Sequence, residues 1–381
     1  MHQILKFISI FLITIFTIIV IYLLYKSLIS YTGTEKNNYF FYIIFFVFLI
    51  CLFLLSHLFF KKSLVYIILI LSAFFINIYI FEWIIGMNYK STQKNYLEKK
   101  IKLYEKENGK IFDQSNILQV YKREKANNKN IVLMMQPTLL KTKQNKKIFS
   151  LSGISKSEVI YCNEEGYYSI YESDRYGFNN PDYEWDAKKI DFLLVGDSYV
   201  HGACVNRPND IASILRKSFN KSALNIGVSS AGPLTQFALL KEYLNKNVKN
   251  IIWFYTAEND NFELKEELNS EILKSYYNVN NYSQNLKYLV SENDSLLKDK
   301  MDTHINKELN KKDKNKTVKD IINYLKLRNL RRTLAPYFYE TDETYLEFSK
   351  ILERTKKMSN KNKSNLYFVY LPKFTEFKDK K

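Results

Sequence analysis

The sequence predicts a mixed α/β protein: a three-layer α/β/α domain built on a parallel sheet, preceded by three transmembrane helices. Two observations carry this. Residues 4–30, 39–60 and 63–87 are almost wholly apolar, and each meets the requirement of about 20 apolar residues for a helix that crosses hydrocarbon. Further on, four short and nearly unbroken apolar runs read as strands buried on both faces: Ile190–Val195, Ala223–Val228, Asn250–Tyr255 and Leu366–Leu371. Helical stretches at 211–219 and 235–244 separate the first three. Strand-helix alternation of this kind means a parallel sheet covered on both faces.

The first apolar run is too long for the core of a secretory signal, and no small-residue cleavage site follows it. Lys6 and the free amine precede the first span and Lys61-Lys62 join the second to the third. Positive charge on those segments predicts that they face the cytoplasm, which puts everything after Met87 outside. The expected divisions are 1–87 for the spans, 88–149 for a stalk and linker, and 150–381 for the α/β domain. Within the linker, 131–140 (IVLMMQPTLL) has the texture of a strand or a packed extended piece.

Composition excludes several classes. Gly and Pro number 10 and 6 in 381 residues, too few for collagen-like or linker-like chains, and three Cys cannot build a disulfide scaffold. The net charge of +17 is spread through loops and apolar runs alike. No basic stripe interleaved with aromatics marks a nucleic-acid interface, so the expected partner of this charge is an anionic bilayer surface. No P-loop, dinucleotide fingerprint or metal-ligand spacing occurs, and neither metal nor cofactor is expected.

In open parallel sheets, sites lie beyond the carboxyl ends of the strands. After the first strand stands Gly196-Asp197-Ser198-Tyr199, after the second Asn225-Ile226-Gly227-Val228-Ser229-Ser230-Ala231-Gly232, and after the third Glu258-Asn259-Asp260. A hydroxyl, a glycine-bearing turn and an amide side chain are the parts of an acyl-transfer site: a nucleophile and donors for a developing oxyanion. Gly-Asp-Ser alone also reads as a plain helix cap.

The ordered set resembles the first three blocks of the SGNH, or GDSL-type, hydrolases, which are α/β/α esterases and acyl hydrolases. The resemblance covers about residues 150–381. Ser173–Asp182 (SDRYGFNNPD) is similar to the lead-in of membrane-anchored members that act on cell-envelope glycans. It implies Ser198 as nucleophile, with its own N–H, the Asn259 side chain and a backbone N–H after Asn225 as oxyanion donors. Ser230 holds the position where the family has Gly, with Gly227 and Gly232 flanking it, and Ser230 and Gly232 are the oxyanion residues expected from this turn. Asp197, Asn225, Gly227 and Asp260 are the supporting residues.

The family's D-x-x-H block beyond the last strand is missing: after Leu371-Pro372 the sequence reads KFTEFKDKK. The other histidines are His2, His57 in a span, His304 and His201, three residues after Ser198. A solvent-facing or backbone-bonded role fits His201 better than that of a base. Two expectations follow, a chain truncated at its C-terminus or a domain that has lost catalysis and kept binding. Residues 262–315 read as a solvated insertion, and 317–338 and 344–358 as helices covering one face of the sheet. Arg328, Arg331 and Arg332 form a surface cluster or meet an anionic substrate. Cys162 and Cys204 are expected to pair, tying the lead-in to the loop after Ser198 in an oxidising compartment.

The functional expectation is a membrane-anchored esterase, acyl hydrolase or acyltransferase working through a Ser198 acyl-enzyme on envelope-glycan or lipid-linked esters. The alternative is a non-catalytic binding protein of the same fold.

Overall fold

The computed structural model describes residues 2–25, 27–28, 34–58, 63–142, 144–310, 314–338 and 342–373. The chain divides into two compact units, residues 1–93 with 316–337 and residues 94–315 with 338–381. The divisions expected from the sequence fall at 87 and 149.

The first unit opens with α1 (His2–Tyr25), α2 (Thr34–Leu58) and α3 (Ser63–Asn108). Phe16, Leu49 and Phe53 form a small core, against which Leu71 and Phe75 of α3 pack. Among the described residues one helix, Leu69–Asn108, is long and apolar enough to cross a membrane, with a mean hydropathy of 1.9 over its best window. Hardly any of that window is buried within the protein, so it is not a core helix. The described apolar parts of α1 and α2, Ser9–Tyr25 and Tyr42–Leu55, fall short of the same length. Where three spans are expected, one meets the test.

Residues 88–149 are not the expected linker. α4 (Ile117–Asn127) starts on a capping box: Asn116 Oδ1 accepts from Leu118 N and Gln119 N, and the Gln119 side chain accepts from Asn116 N. There follow β1 (Ile131–Leu133), β2 (Thr138–Lys141), β3 (Lys147–Ser150), β4 (Glu158–Ile160) and β5 (Ile170–Glu172). β1 pairs parallel with β4, β4 antiparallel with β5, and β2 with β3 as an antiparallel ladder. All of β1 is buried, packed with Val120 of α4.

The parallel sheet is built as expected. β6 (Ile190–Val195), α5 (Ser198–His201), α6 (Ile211–Phe219), β7 (Ala223–Asn225), α7 (Pro233–Tyr243) and β8 (Val248–Thr256) alternate along the chain. β7 is shorter than its apolar run, although Ile226 N and Val228 N still donate to Leu194 O and Gly196 O of the β6 segment. Successive side chains of β6 point to opposite faces. Leu193 and Val195 join Leu234 and Phe237 of α7 in one core, while Leu194 joins Ala212 of α6 in another. Helices therefore cover both faces at β6.

Three helices occupy the supposed insertion: α8 (Asp260–Glu267), α9 (Glu271–Asn278) and α10 (Val290–Leu309). They bury Leu264, Leu273, Tyr276, Leu297, Met301 and Ile305, so this region is part of the domain rather than a solvated excursion. α11 (Lys314–Leu325) and α12 (Arg328–Phe338) come next. Residues 316–337 group with the apolar unit, not with the sheet domain as expected. Glu82 on α3 is the reason, since its carboxylate accepts from Asn329 N, Asn329 Nδ2 and Leu330 N at 2.9, 2.9 and 2.7 Å. Finally α13 (Asp342–Lys361) buries Ile351 in the α7 core and leads to β9 (Asn365–Leu371). The sheet order is β7-β6-β8-β9, all parallel. Tyr367, Phe368 and Tyr370 on the β9 edge are exposed.

Candidate active site

The chain leaves β6 for β7 on one side and then reaches β8 on the other, so strand order reverses between β6 and β8. Open α/β sheets bind their ligands at such a reversal. Asp197, buried just past β6, spans it. One of its oxygens caps α5 by accepting from Tyr199 N at 3.0 Å, and the other accepts from Asn259 Nδ2, past the end of β8, at 3.1 Å. Ser198 is thereby held half-buried on the first residue of α5 beside Asn259. An N–H in a helix's first turn has no intrahelical acceptor, and among the described residues neither Ser198 N–H nor Ser198 Oγ has a partner.

The turn after β7 serves two purposes. Asn225 is a strut: its Oδ1 accepts from Gly227 N at 2.8 Å and its Nδ2 donates to Val200 O at 2.6 Å. Gly232 N donates to Glu267 Oε1 at 2.8 Å. Its N–H is therefore occupied, and the expected oxyanion role of Gly232 is corrected on that ground; Gly227 is occupied in the same way. Ser230 is different. It is exposed, sits at φ +61°, and its N–H has no partner among the described residues. A non-glycine residue in that left-handed region is strained by roughly 1–2 kcal/mol. The Ser230 side chain accepts from Gln136 Nε2 at 2.8 Å.

Acids crowd behind these donors. Asp260 is fully buried and accepts from Thr256 N at 2.8 Å and Gln236 Nε2 at 3.3 Å. Burial pushes its carboxyl up to about 9 against the Thr256 N–H, and the charges of Asp197, Glu263 and Glu267 add to the rise. It is thus neutral at pH 7 and props the end of β8. Glu267 accepts from Gly232 N, Leu234 N and Thr235 N at the head of α7, yet burial still carries it up to about 7. Glu263 is also raised by burial, with Asn259 pulling it down and Asp197 adding to the rise.

His201 is buried with both ring nitrogens engaged. Nδ1 lies 3.2 Å from Ser229 N and Nε2 lies 2.7 Å from the Tyr171 hydroxyl. A backbone N–H needs an acceptor, so Nδ1 is bare and the proton resides on Nε2. Burial alone pushes the imidazole down to about 3. His201 is a neutral, backbone-bonded core histidine. His304 is exposed on α10, and the side chains of His2 and His57 lie outside the described residues. Nothing among the described residues stands within hydrogen-bond distance of Ser198 Oγ to act as its base.

Several neighbours of the site carry no signal in the sequence. Gln136 follows β1, and the buried Tyr161, just after β4, stacks its ring on His201 at 4.6 Å. Its phenol is raised by burial and by the charge of Asp197. Within the lead-in, Asn180 acts as a strand partner for the edge of β7, donating to Asn225 O and accepting from Asn225 N, both at 2.8 Å. Asp174 holds that loop through Tyr176 N, Phe178 N, Asn180 Nδ2 and Trp185 Nε1, and burial pushes it up to about 6. Cys162 and Cys204 are joined in a disulfide with Cα atoms 4.8 Å apart. It ties the end of β4 to the loop after α5.

The arrangement therefore offers a hydroxyl and two unused backbone N–H groups, together with an Asn259 amide that is engaged by Asp197. Among the described residues no group of three His, Cys, Asp or Glu side chains is placed to hold a metal ion. No protein-family model matches the chain, and neither a curated protein nor a solved structure matches it.

Proposed function

We propose that the protein is a membrane-anchored serine esterase or acyltransferase of SGNH type, with Ser198 as the nucleophile. The observation that carries this is the Asp197–Asn259 hydrogen bond across the β6/β8 reversal, which brings a hydroxyl and an amide donor together where such sheets place their chemistry. Ser198 Oγ attacks the ester carbonyl and gives its proton to water, because no side chain among the described residues is placed to take it. Ser198 N–H and Ser230 N–H receive the oxyanion, the Asn259 amide joining them once it leaves Asp197, and the collapse of the oxyanion expels the alkoxide, which takes a proton from water. Water or an acceptor hydroxyl then releases the acyl group.

The location belongs to the same proposal: α1, α2 and the apolar part of α3 cross a bilayer, and the sheet domain faces out of the cytoplasm. Three apolar runs, the lysines of the short loops and the Cys162–Cys204 disulfide support it. A basic domain tethered there suits acylated envelope glycans or lipid-linked esters. One observation favours the second reading, a binding protein that lacks turnover: the neutral, doubly bonded His201 leaves Ser198 without a base among the described residues.

The test is Ser198→Ala in the full chain, assayed on p-nitrophenyl acetate and with a fluorophosphonate label. Loss of labelling and at least about a hundredfold loss of ester cleavage are expected, with Asn259→Ala costing about 10²–10³ in kcat. If the parent protein neither labels nor cleaves, or if Ser198→Ala leaves both intact, the esterase reading fails. Glycan binding that survives Ser198→Ala would then favour the binder.

A further inference from the structure

We propose that α11 lies in the lipid–water interface as an amphipathic helix on an anionic phospholipid surface, and that Glu82 pins it there by capping α12. This rests on the reading that α3 crosses a bilayer and is independent of the esterase assignment. α11 places Val318, Ile321, Ile322 and Leu325 at i, i+3, i+4 and i+7, which is one helical stripe. All four side chains are exposed. Lys319, Asp320 and Asn323 take the other positions. A strongly two-faced helix of this kind buries its apolar side in the headgroup–acyl boundary.

What covers the stripe follows from where the helix is fastened. At its end the Tyr324 hydroxyl donates to Tyr79 O at 2.9 Å and the Tyr79 hydroxyl donates to Leu325 O at 3.1 Å. One turn on, Glu82 takes the first N–H groups of α12. Tyr79 and Glu82 stand 16 and 19 residues beyond Ser63, about 24 and 28 Å along α3, so they approach the far edge of a hydrocarbon core about 30 Å thick. At that edge tyrosines concentrate and a carboxylate needs protein donors.

Charge names the lipid. Arg328 and Arg331 are exposed on α12, and the Arg332 guanidinium lies 3.5 Å from the centre of the Tyr89 ring. Basic residues at this level gain about 1 kcal/mol each from an anionic leaflet. Beside them a groove of about 440 Å³, lined by Phe74, Ile78, Phe81, Ile84 and Leu330, offers an apolar bed for an acyl chain.

The experiment uses the full chain with Cys51→Ser, reconstituted in vesicles of phosphatidylglycerol and phosphatidylcholine. Single cysteines carry an environment-sensitive fluorophore: Ile322→Cys on the stripe, Asp320→Cys opposite it and Ile76→Cys on α3. Val318→Cys replaces Ile322→Cys if that variant does not fold. The Ile322 label is expected to shift to the blue, escape iodide quenching and be quenched by a nitroxide near the lipid headgroup. The Asp320 label stays open to iodide, and the Ile76 label is quenched by a deep nitroxide.

Protection at 322 should weaken in pure phosphatidylcholine and with Glu82→Ala. If the 322 and 320 labels are equally open to iodide while 76 is lipid-quenched, the interfacial helix is wrong and the span stands. If 76 is open to iodide, both fall. Protection at 322 that persists in lipid-free detergent at high dilution, in pure phosphatidylcholine or in Glu82→Ala would overturn, respectively, the bilayer, the anionic lipid or the pin.

Discussion

Each unit of the molecule contains a joint made the same way, a glutamate accepting the leading N–H groups of a helix beside a closely approached glycine. In the sheet domain Glu267 takes Gly232 N, Leu234 N and Thr235 N at the head of α7. In the apolar unit Glu82 takes Asn329 N and Leu330 N at the head of α12, with the Asn329 amide as a third donor. Both satisfy groups that a helix start leaves bare. Their surroundings differ. Gly232, Leu234 and Thr235 are all buried, with the acids Asp260 and Glu263 at hand, whereas Asn329 and Leu330 are half-exposed. The Glu82 carboxylate is itself buried, so the contrast lies in the donors: those of the first joint should be harder for water to serve than those of the second.

The hardest test of that contrast is Glu267→Ala. It strands three buried donors, each worth about 1–3 kcal/mol when left unmade. Even with partial relief by water, a loss of at least about 3 kcal/mol is expected, read from denaturant unfolding of the sheet domain by tryptophan emission. A loss below about 1 kcal/mol would mean that water serves these donors and that the two joints are alike.

Next in size is the glycine. A Cβ on Gly232 would lie 2.7 Å from Glu263 Cβ and 2.9 Å from Glu267 Cδ. Glu263 Cβ sits next to backbone and cannot swing aside. Gly232→Ala should therefore cost about 1–3 kcal/mol as overpacking, measured in the same unfolding series. It should also loosen the turn that carries Ser230.

A smaller effect is one of pH. Glu267 has an ordinary carboxyl value of 4.5 and is carried up to about 7 in the fold. Between those values the folded chain keeps a proton that the unfolded chain has lost. Its contribution is fully present below about 4.5 and vanishes as pH rises through about 7. Asp260 acts in the same direction up to about 9. His201, held down to about 3, opposes them below its ordinary 6.5. Glu267→Gln isolates the carboxylate: the stability gap between the parent and the variant should change in the parent's disfavour from pH 5 to pH 7.5. A constant gap would show that Glu267 titrates normally.

The elements around Ser198 were legible because burial on two faces writes itself into short, continuous apolar runs. The strand Ile190–Val195 and the helix Ile211–Phe219 have the bounds that the sequence implies. A three-residue strand such as β1 is too short to show a period, so 131–140 reads only as a strand or packed extended piece within an expected linker. α10 buries Leu297, Met301 and Ile305, a stripe one residue wide within a Lys-rich and Asp-rich stretch, and passed for a solvated insertion. The candidate site divides along the same line. Ser198, Asn259 and Ser230 lie at strand ends and are found by position. The fate of the Gly232 N–H depends on Glu267, and that of His201 on Tyr171 and Ser229. The tie from Glu82 to Asn329 joins residues 247 apart. Such partners are set by tertiary packing, and no local pattern announces them.

The smallest expected effect closes the comparison. A Cβ on Gly86 would lie 2.8 Å from Asn329 Nδ2 and 3.6 Å from Asn329 Cγ, with no other atom within 4 Å among the described residues outside its own helical turn. The obstacle is the tip of a flexible side chain, which can rotate away while Asn329 N and Leu330 N keep their hold on Glu82. Alanine also favours the helix over glycine by about 0.8–1.0 kcal/mol, which offsets the lost amide bond. Gly86→Ala should therefore leave the thermal midpoint of the reconstituted protein nearly unchanged and leave the α11 label protected, a shift below about 1 kcal/mol in either direction. A loss as large as that of Gly232→Ala would mean that α12 is packed on α3 as tightly as α7 is packed in the sheet domain. The two joints would then differ in solvent but not in rigidity.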